Sequence, residues 1–458
     1  MRWNSYVHNF FRRHLTAPRL FLISFVMIIL VGTALLRFPF SASRQQLSWI
    51  NAFFTATSAV CVTGLTVVDV GKDLSFTGQI ITLFLFQIGG IGIITFSVVF
   101  FALMGRNISF KDREIMQSTF LHTPRRDFLA IVKWVLFWTF IIEGIGTLIL
   151  FLRFHQDFPP ADALYKAVYH AVSAFNNCGY SLFSDNLIRY QGDPTVNLVI
   201  MGLIVSGGLG FIVQYELITH IRSRQKKSRL SLHTKIVLIT TLALIVGGAA
   251  LFYLFEMNNV LKNAPLPTRI LTSFFQAITP RTCGFNTVDI GLLTNDSILI
   301  IILLMYIGAS PGSTGGGIKT TSFALLMIMI WNRLKGQEEV TVYNRTVPRE
   351  ILTRTGAIIV ASAFSVLIIT LALLFLGETG TIAPKGNRQS VVEYLFEAVS
   401  AFGTVGLSMG ITSALNTAQK FAIILLMFIG RVGPLTLAYS WHSPRRGIVY
   451  AEEAVMVG

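Results

Sequence analysis

Eight stretches of this chain are apolar almost without interruption: 20–36, 80–104, 128–151, 198–218, 236–255, 298–330, 355–376 and 421–437. A helix rising 1.5 Å per residue needs about 20 such residues to cross the roughly 30 Å hydrocarbon core of a bilayer. The pattern predicts eight membrane helices taken in pairs. The first stretch also has the length of a signal peptide, with Ser41-Ala42-Ser43 as a weak cleavage site. With seven further spans to insert by the same route, it reads instead as the first span.

Between the members of each pair lies a shorter, half-polar segment, and the four segments read alike. They are FFTATSAVCVTGLTVVD ending at Asp69, VYHAVSAFNNCGYSLFSD ending at Asp185, SFFQAITPRTCGFNTVD ending at Asp289, and LFEAVSAFGTVGLSMG ending at Gly410. They align on Gly64, Gly179, Gly284 and Gly406. Ten residues before each glycine stands an aromatic: Phe54, Tyr169, Phe274 and Phe396. Ser-Ala fills the sixth and fifth places before it in three copies, and Ile278-Thr279 fills them in the third. A large apolar residue follows (Leu65, Tyr180, Phe285, Leu407), then an Asp five or six places on in all but the fourth copy. The glycines are 115, 105 and 122 residues apart, which marks a divergent fourfold duplication.

A second landmark keeps the register. The second helices carry Gly89-Gly90-Ile91-Gly92, Gly207-Gly208-Leu209-Gly210, Gly308-Ala309-Ser310-Pro311-Gly312 and Gly430-Arg431-Val432-Gly433, starting 25, 28, 24 and 24 residues after the aligned glycines. In the third copy the landmark runs on into PGSTGGGIKTT, residues 311–321. This looks like a phosphate loop, but a Walker-type loop has Lys directly after its last Gly. Here Ile318 separates Gly317 from Lys319. The stretch is expected to split the third second-helix into two halves.

Composition agrees with a membrane protein: 53% of the 458 residues are hydrophobic, only 13% are charged, and mean hydropathy is +0.64. A net charge of +15 invites a nucleic-acid reading, but the positions of the charges oppose it. Basic residues gather at Arg2–Arg19, Arg106–Arg126, Arg222–Lys235, Arg333–Arg354 and Arg445–Arg446, while the alternate loops mix both signs. That is the positive-inside pattern, with both termini expected in the cytoplasm. Three cysteines, Cys61, Cys178 and Cys283, make no disulfide framework.

Each unit reads as helix, short re-entrant segment, helix. Non-helical backbone survives at membrane depth only where protein or water covers it. Four such segments about one axis bring four runs of carbonyls together, and carbonyl rings replace the hydration shell of an alkali cation. The expected fold is therefore an all-α membrane protein, four M1–P–M2 repeats around a pseudo-fourfold pore. The glycines permit the unusual dihedrals that turn carbonyls inward, and helix C-termini aimed at the cavity favour cations. Candidate filter residues are Val62, Thr63 and Gly64; Asn177, Cys178 and Gly179; Thr282, Cys283 and Gly284; and Thr404, Val405 and Gly406. No carboxylate lies between six places before and one place after any of these glycines, which favours a monovalent ion over a divalent one.

The four units, one filter glycine in each, and GASPGSTGGGIKTT in the third M2 together resemble the Trk/Ktr/HKT superfamily of potassium transporters. The resemblance covers the chain from residue 20 to its end. Eight M segments behind a short basic tail resemble the membrane subunits of bacterial Ktr systems; TrkH-type chains usually carry extra N-terminal helices. The resemblance implies K⁺ as the transported ion, because sodium-favouring plant relatives tend to have Ser where this chain has Gly64. It leaves Na⁺ dependence open. It implies a gate at Gly312, Ser313, Thr314, Gly315, Gly316 and Gly317, a homodimer in a bacterial inner membrane, and a cytosolic RCK/KTN-type ring that binds ATP or ADP. No cofactor or transition metal is expected on this chain, and no nucleic acid. The divisions expected are a basic tail at 1–19, then repeats at 20–105, 106–222, 223–335 (loop 308–320) and 336–458.

Arg431 fills the slot of Gly90 and Gly208, at the level of the loop. An intramembrane Arg costs at least roughly 2.5–3.5 kcal/mol unless solvated or paired. Two readings stay open for it: hydrogen bonding to loop carbonyls, and a cation standing in the closed pore. Lys319 reads as an anchor for the loop's exit, and Arg281 as a brace behind the filter. Asn176 and Asn177 read as cross-braces. Glu143, Glu216 and Glu256 read as paired or interfacial, with a coupling-ion site open for Glu143. His14, His122, His220 and His233 sit in basic stretches and carry no signal. An alternating-access symporter is the alternative function, since broken helices mark those too. No zinc spacing, Ser-His-Asp set or true nucleotide loop suggests an enzyme.

Overall fold

The computed structural model describes residues 17–103, 128–222, 230–337, 339–378, 389–434 and 437. The N-terminal tail with His14, the basic stretch with His122, and the C-terminal residues with Arg445 and Arg446 lie outside them. Regular structure among the described residues is fourteen α-helices, a few 3-10 turns and one two-residue hairpin, Thr341–Val342 with Arg345–Thr346.

The helices fall into four sets. The first is α1 (Ala17–Arg37), α2 (Trp49–Val60) and α3 (Phe76–Leu103). The second is α4 (Phe128–Phe154), α5 (Pro160–Phe175), α6 (Pro194–Gly208) and α7 (Phe211–Arg222). The third is α8 (Leu232–Glu256), α9 (Leu266–Ile278), α10 (Asn295–Tyr306) and α11 (Thr320–Leu334). The fourth is α12 (Arg349–Glu378), α13 (Gln389–Gly403) and α14 (Thr417–Val432).

Local chemistry sets the starts. Ser48, Asp193, Ser231, Thr294 and Asn416 each cap a helix by accepting a backbone N–H three residues on, and Asn416 forms a full capping box with Gln419. Proline begins α5, where its missing N–H costs nothing.

Burial divides the helices by role. Along α4 and α12, Phe137, Leu148, Leu152, Phe364, Leu371 and Phe375 are exposed. Such apolar rows on helices of spanning length suit a lipid surround, and the chain is an integral membrane protein. The short helices α2, α5 and α9 are instead wrapped, with Phe54, Tyr169, Phe175 and Phe275 fully buried.

The packing closes on itself. Each long first helix lies against the short helix of its own set: α1 on α2, α4 on α5, α8 on α9, α12 on α13. Each later helix lies against the short helix of the next set: α3 on α5, α6 on α9, α10 on α13, and α14 back on α2.

Among the described residues, Lys133–Phe154, Leu232–Glu256 and Arg349–Gly377 are single helices long and apolar enough to cross a bilayer. The later helices are cut, and not only in the third set. Gly92 lies at φ +73° inside α3, Gly210 at +90° between α6 and α7, Gly312 at +68° and Gly433 at +88° after α14. The cut in the second set bends the chain by 103°. Uninterrupted hydropathy across 198–218 hid that break.

Candidate functional site

Each short helix ends in a left-handed stop. In the first set Val62 N–H bonds to Ala59 O (3.0 Å) and Thr63 N–H to Ser58 O (2.8 Å); Asn177 and Cys178 repeat this on Ala174 and Ser173. Thr404 and Val405 repeat it on Ala401 and Ser400. This is a Schellman stop, whose left-handed residue is normally glycine. Here the positions hold Val62 (φ +55°), Asn177 (+57°) and Thr404 (+50°), and the third set places Thr282 at +82°. For β-branched residues such backbone is a real outlier, costing about 1–3 kcal/mol each. Two residues on, Gly64, Gly179, Gly284 and Gly406 lie at φ +75° to +91°. The same left-handed pair therefore occurs four times.

The four glycine strands touch in a closed ring. A Cβ built on Gly64 would strike Cys178 O, one on Gly179 would strike Cys283 O, one on Gly284 Val405 O, and one on Gly406 Thr63 O. Backbone this close leaves no room for side chains, and it brings the carbonyls of Thr63, Cys178, Cys283 and Val405 to one place. The candidate residues of all four copies thus meet, although the first and last of their glycines are 342 positions apart.

The later helices approach through their own glycines. A Cβ on Gly89, Gly207 or Gly430 would strike Val60 O, Phe175 O or Phe402 O, each the last or next-to-last residue of a short helix. In the third set the equivalent Gly308 faces Gly316 O instead.

The loop between α10 and α11 lies against the helix side of this ring. Gly316 N–H donates to Thr404 Oγ1 (2.9 Å), and Gly315 abuts Thr282, whose buried hydroxyl has no protein partner. Thr314 N–H bonds to Gly207 O (3.2 Å) and its hydroxyl to Phe175 O (3.3 Å). Gly317 N–H bonds to Gly430 O (3.3 Å), Ser310 N–H to Gly208 O (3.0 Å), and Phe211 N–H to Gly312 O (2.9 Å). Ser313 Oγ donates back to Ser310 O (2.6 Å). The loop is stitched to the second and fourth sets as well as its own.

Arg431 is buried and donates through Nη1 to Thr314 O and through Nη2 to Gly89 O. Lys319 Nζ donates to Gly315 O at 2.8 Å. Two cations therefore close on loop carbonyls.

Arg281 Nη2 reaches Thr241 Oγ1 at 3.3 Å. Glu143 accepts from Asn176 Nδ2 (3.0 Å) and Gln87 Nε2 (3.2 Å), and Asn176 Nδ2 also donates to Gln87 Oε1 (2.6 Å). This trio joins α3, α4 and the end of α5 behind the second strand. Glu256 accepts from Thr294 (2.8 Å) and Asn259 (2.8 Å), and Glu216 accepts from Ser231 Oγ (2.7 Å). His220 lies near the C-terminal end of α7 and His233 at the start of α8. No group of three or more His, Cys, Asp or Glu fit to hold a metal occurs among the described residues.

The aspartates after the glycines close turns. Asp69 Oδ1 accepts from Gly71 N–H (2.9 Å) and Asp289 Oδ1 from Gly291 N–H (2.9 Å). Asp185 pairs with Arg189 at 2.7 Å, and that hydrogen bond holds its carboxyl below the usual aspartate range. The fourth copy closes its turn from the helix instead, Glu397 accepting from Ser408 and Thr412.

One further set of hydroxyls reaches the strands. Ser58 Oγ donates to Leu65 O (2.8 Å), Ser173 Oγ to Tyr180 O (2.9 Å) and Thr279 Oγ1 to Phe285 O (2.5 Å). The recurrent Ser-Ala was visible in the alignment; that its hydroxyl reaches past the glycine was not.

Comparison with known proteins defines the class. The family described as TrkH, cation transport protein, matches residues 12–443. The chain belongs to that family. It is similar to the Ktr system potassium uptake protein B of Bacillus subtilis, 39% identical over 97% of each chain. The protein of the same name from Vibrio alginolyticus is 38% identical over 96% of this chain and 95% of its own. The potassium/sodium uptake protein NtpJ of Enterococcus hirae is 34% identical over 98% of each. The fold is similar to the crystal structure of the potassium transporter TrkH from Vibrio parahaemolyticus, with a TM-score of 0.70 at 18% identity, covering 92% of this chain and 85% of that one.

Proposed function

We propose that this chain is the pore-forming membrane subunit of a potassium uptake system. The carrying observation is the closed ring of four glycine strands. In this reading the strands form four M1–P–M2 units about one axis, and carbonyls at Val62–Gly64, Asn177–Gly179, Thr282–Gly284 and Thr404–Gly406 replace water around a dehydrated K⁺. Membrane potential drives uptake, at about 2.3 kcal/mol per charge per 100 mV.

The loop at 312–317 is the gate, latched by Arg431 and Lys319. Two cations bonded to its carbonyls place positive charge where an ion leaving the ring must pass. The names of the relatives, as parts of a Ktr system and as a potassium/sodium uptake protein, support K⁺, partner subunits and a role for Na⁺. A homodimer in a bacterial inner membrane and a cytosolic nucleotide-binding ring complete the reading.

Rubidium uptake by potassium-deficient cells tests it. The chain, with and without Na⁺ and its partner subunit, is expected to restore saturable Rb⁺ uptake that K⁺ competes away. Uptake equal to that of cells without the chain would contradict it.

A further inference from the structure

Four buried hydroxyl residues clamp the ring strands at two heights, and nothing in the conduction reading assigns them. Ser58, Ser173, Thr279 and Ser400 are all fully buried. On one side of the glycine, the main-chain carbonyl of each takes the amide just before it: Thr63 on Ser58 (2.8 Å), Cys178 on Ser173 (2.9 Å), Cys283 on Thr279 (3.0 Å), Val405 on Ser400 (2.9 Å).

On the other side, three of the hydroxyls take the carbonyl just after the glycine. Ser58 holds Leu65 O, Ser173 holds Tyr180 O and Thr279 holds Phe285 O. The fourth reverses the bond: Ser400 Oγ accepts from Gly406 N–H at 3.1 Å. Copy three lacks Ser at the sixth place before the glycine, yet Thr279, one place later, does the same job. Conservation of the bond despite the shift in register separates a function from a packing habit of small residues.

We infer that Ser58, Ser173, Thr279 and Ser400 are specificity-determining positioning residues for the transported cation. They touch no ion. Each fixes the distance and tilt of the strand across its glycine, and so fixes the size of the carbonyl ring. A bare carbonyl left without its hydroxyl is a buried acceptor with no partner, and it must turn elsewhere. Ring radius then varies, and a ring that adjusts its radius accepts Na⁺ as well as K⁺.

The inference rests on the proposed function, and the test separates the two. The full chain with its partner subunit is assayed in proteoliposomes for Rb⁺ and Na⁺ uptake separately. Ser58→Ala and Ser173→Ala are each expected to lower the ratio of Rb⁺ to Na⁺ uptake by about fivefold, the equivalent of one hydrogen bond. Thr279→Ser keeps the hydroxyl and is expected within about twofold of the parent ratio, whereas Thr279→Val keeps the shape, loses the hydroxyl, and is expected to fall like the alanine variants.

A parent chain that carries no Rb⁺ contradicts the proposed function. A parent that carries Rb⁺, with Thr279→Val and Thr279→Ser discriminating alike, overturns the positioning role; that pair decides the matter even if the alanine variants fail to insert.

Discussion

The third set of helices and the other three solve the same packing problem differently. In sets one, two and four, the first glycine of the landmark lets a later helix press on the end of a short helix, at Val60, Phe175 and Phe402. In set three, Gly308 receives Gly316 of the loop between α10 and α11 instead. The lesson is that one ancestral contact was diverted. In three sets the glycine seats a helix; in the third it seats the loop proposed above as the gate. Arg431 shows the same economy, replacing the glycine of sets one and two with a cation that reaches both the loop and Gly89.

The comparison breaks most visibly at that cation. Arg431→Ala removes two charge-assisted hydrogen bonds, each worth about 1.5–3 kcal/mol, so under the proposed gating the closed-to-open ratio is expected to fall by at least about a hundredfold. Basal Rb⁺ flux without the partner subunit measures it; an unchanged or abolished flux would separate the loop from closure.

Next comes the diverted glycine itself. Gly308→Ala is expected to push Gly316 away and raise basal flux by about tenfold. Gly89→Ala and Gly430→Ala push on helix carbonyls instead, and are expected to cost about 1–3 kcal/mol of stability without raising flux. Equal behaviour in all three would erase the distinction.

A smaller effect is expected at the ring. Gly64→Ser and Gly406→Ser force a side chain into a left-handed position, at about 1–2 kcal/mol, and against a neighbouring carbonyl. K⁺ preference over Na⁺ should weaken while set three still closes, which competition of Na⁺ against Rb⁺ uptake would show.

The smallest concerns the outer turns. Asp185 has its carboxyl pKa lowered by Arg189, so its stabilisation is present above the ordinary aspartate range, near pH 4, and is lost only as pH falls below it. Asp185→Asn should lower thermal stability only slightly, and evenly from pH 5 to 8, because the pair is solvent-exposed; a large loss in a thermal melt would contradict this.

How much of this was legible follows from what the residues advertise. Glycines at fixed spacing announced both the ring and the landmarks, because only glycine tolerates a neighbouring backbone at Gly64 or Gly89. Val62, Thr282 and Thr404 were legible as ring residues by their place before the glycines, but not their left-handed backbone, because β-branched residues argue against it and tertiary contacts overrule them here. The 103° break before Phe211 was equally silent, since hydropathy reads through Leu209-Gly210 and the freed backbone groups find partners in Gly312 and Ser310 from a distant part of the chain. Thr279 was masked by its one-place shift from Ser58 and Ser173.

The most direct measurement is anomalous scattering from thallium, a K⁺ substitute, bound to the purified chain. Peaks are expected on the axis enclosed by Gly64, Gly179, Gly284 and Gly406, displaced by K⁺ in excess. Thallium bound only elsewhere, or an axis without density at saturating thallium, would contradict it.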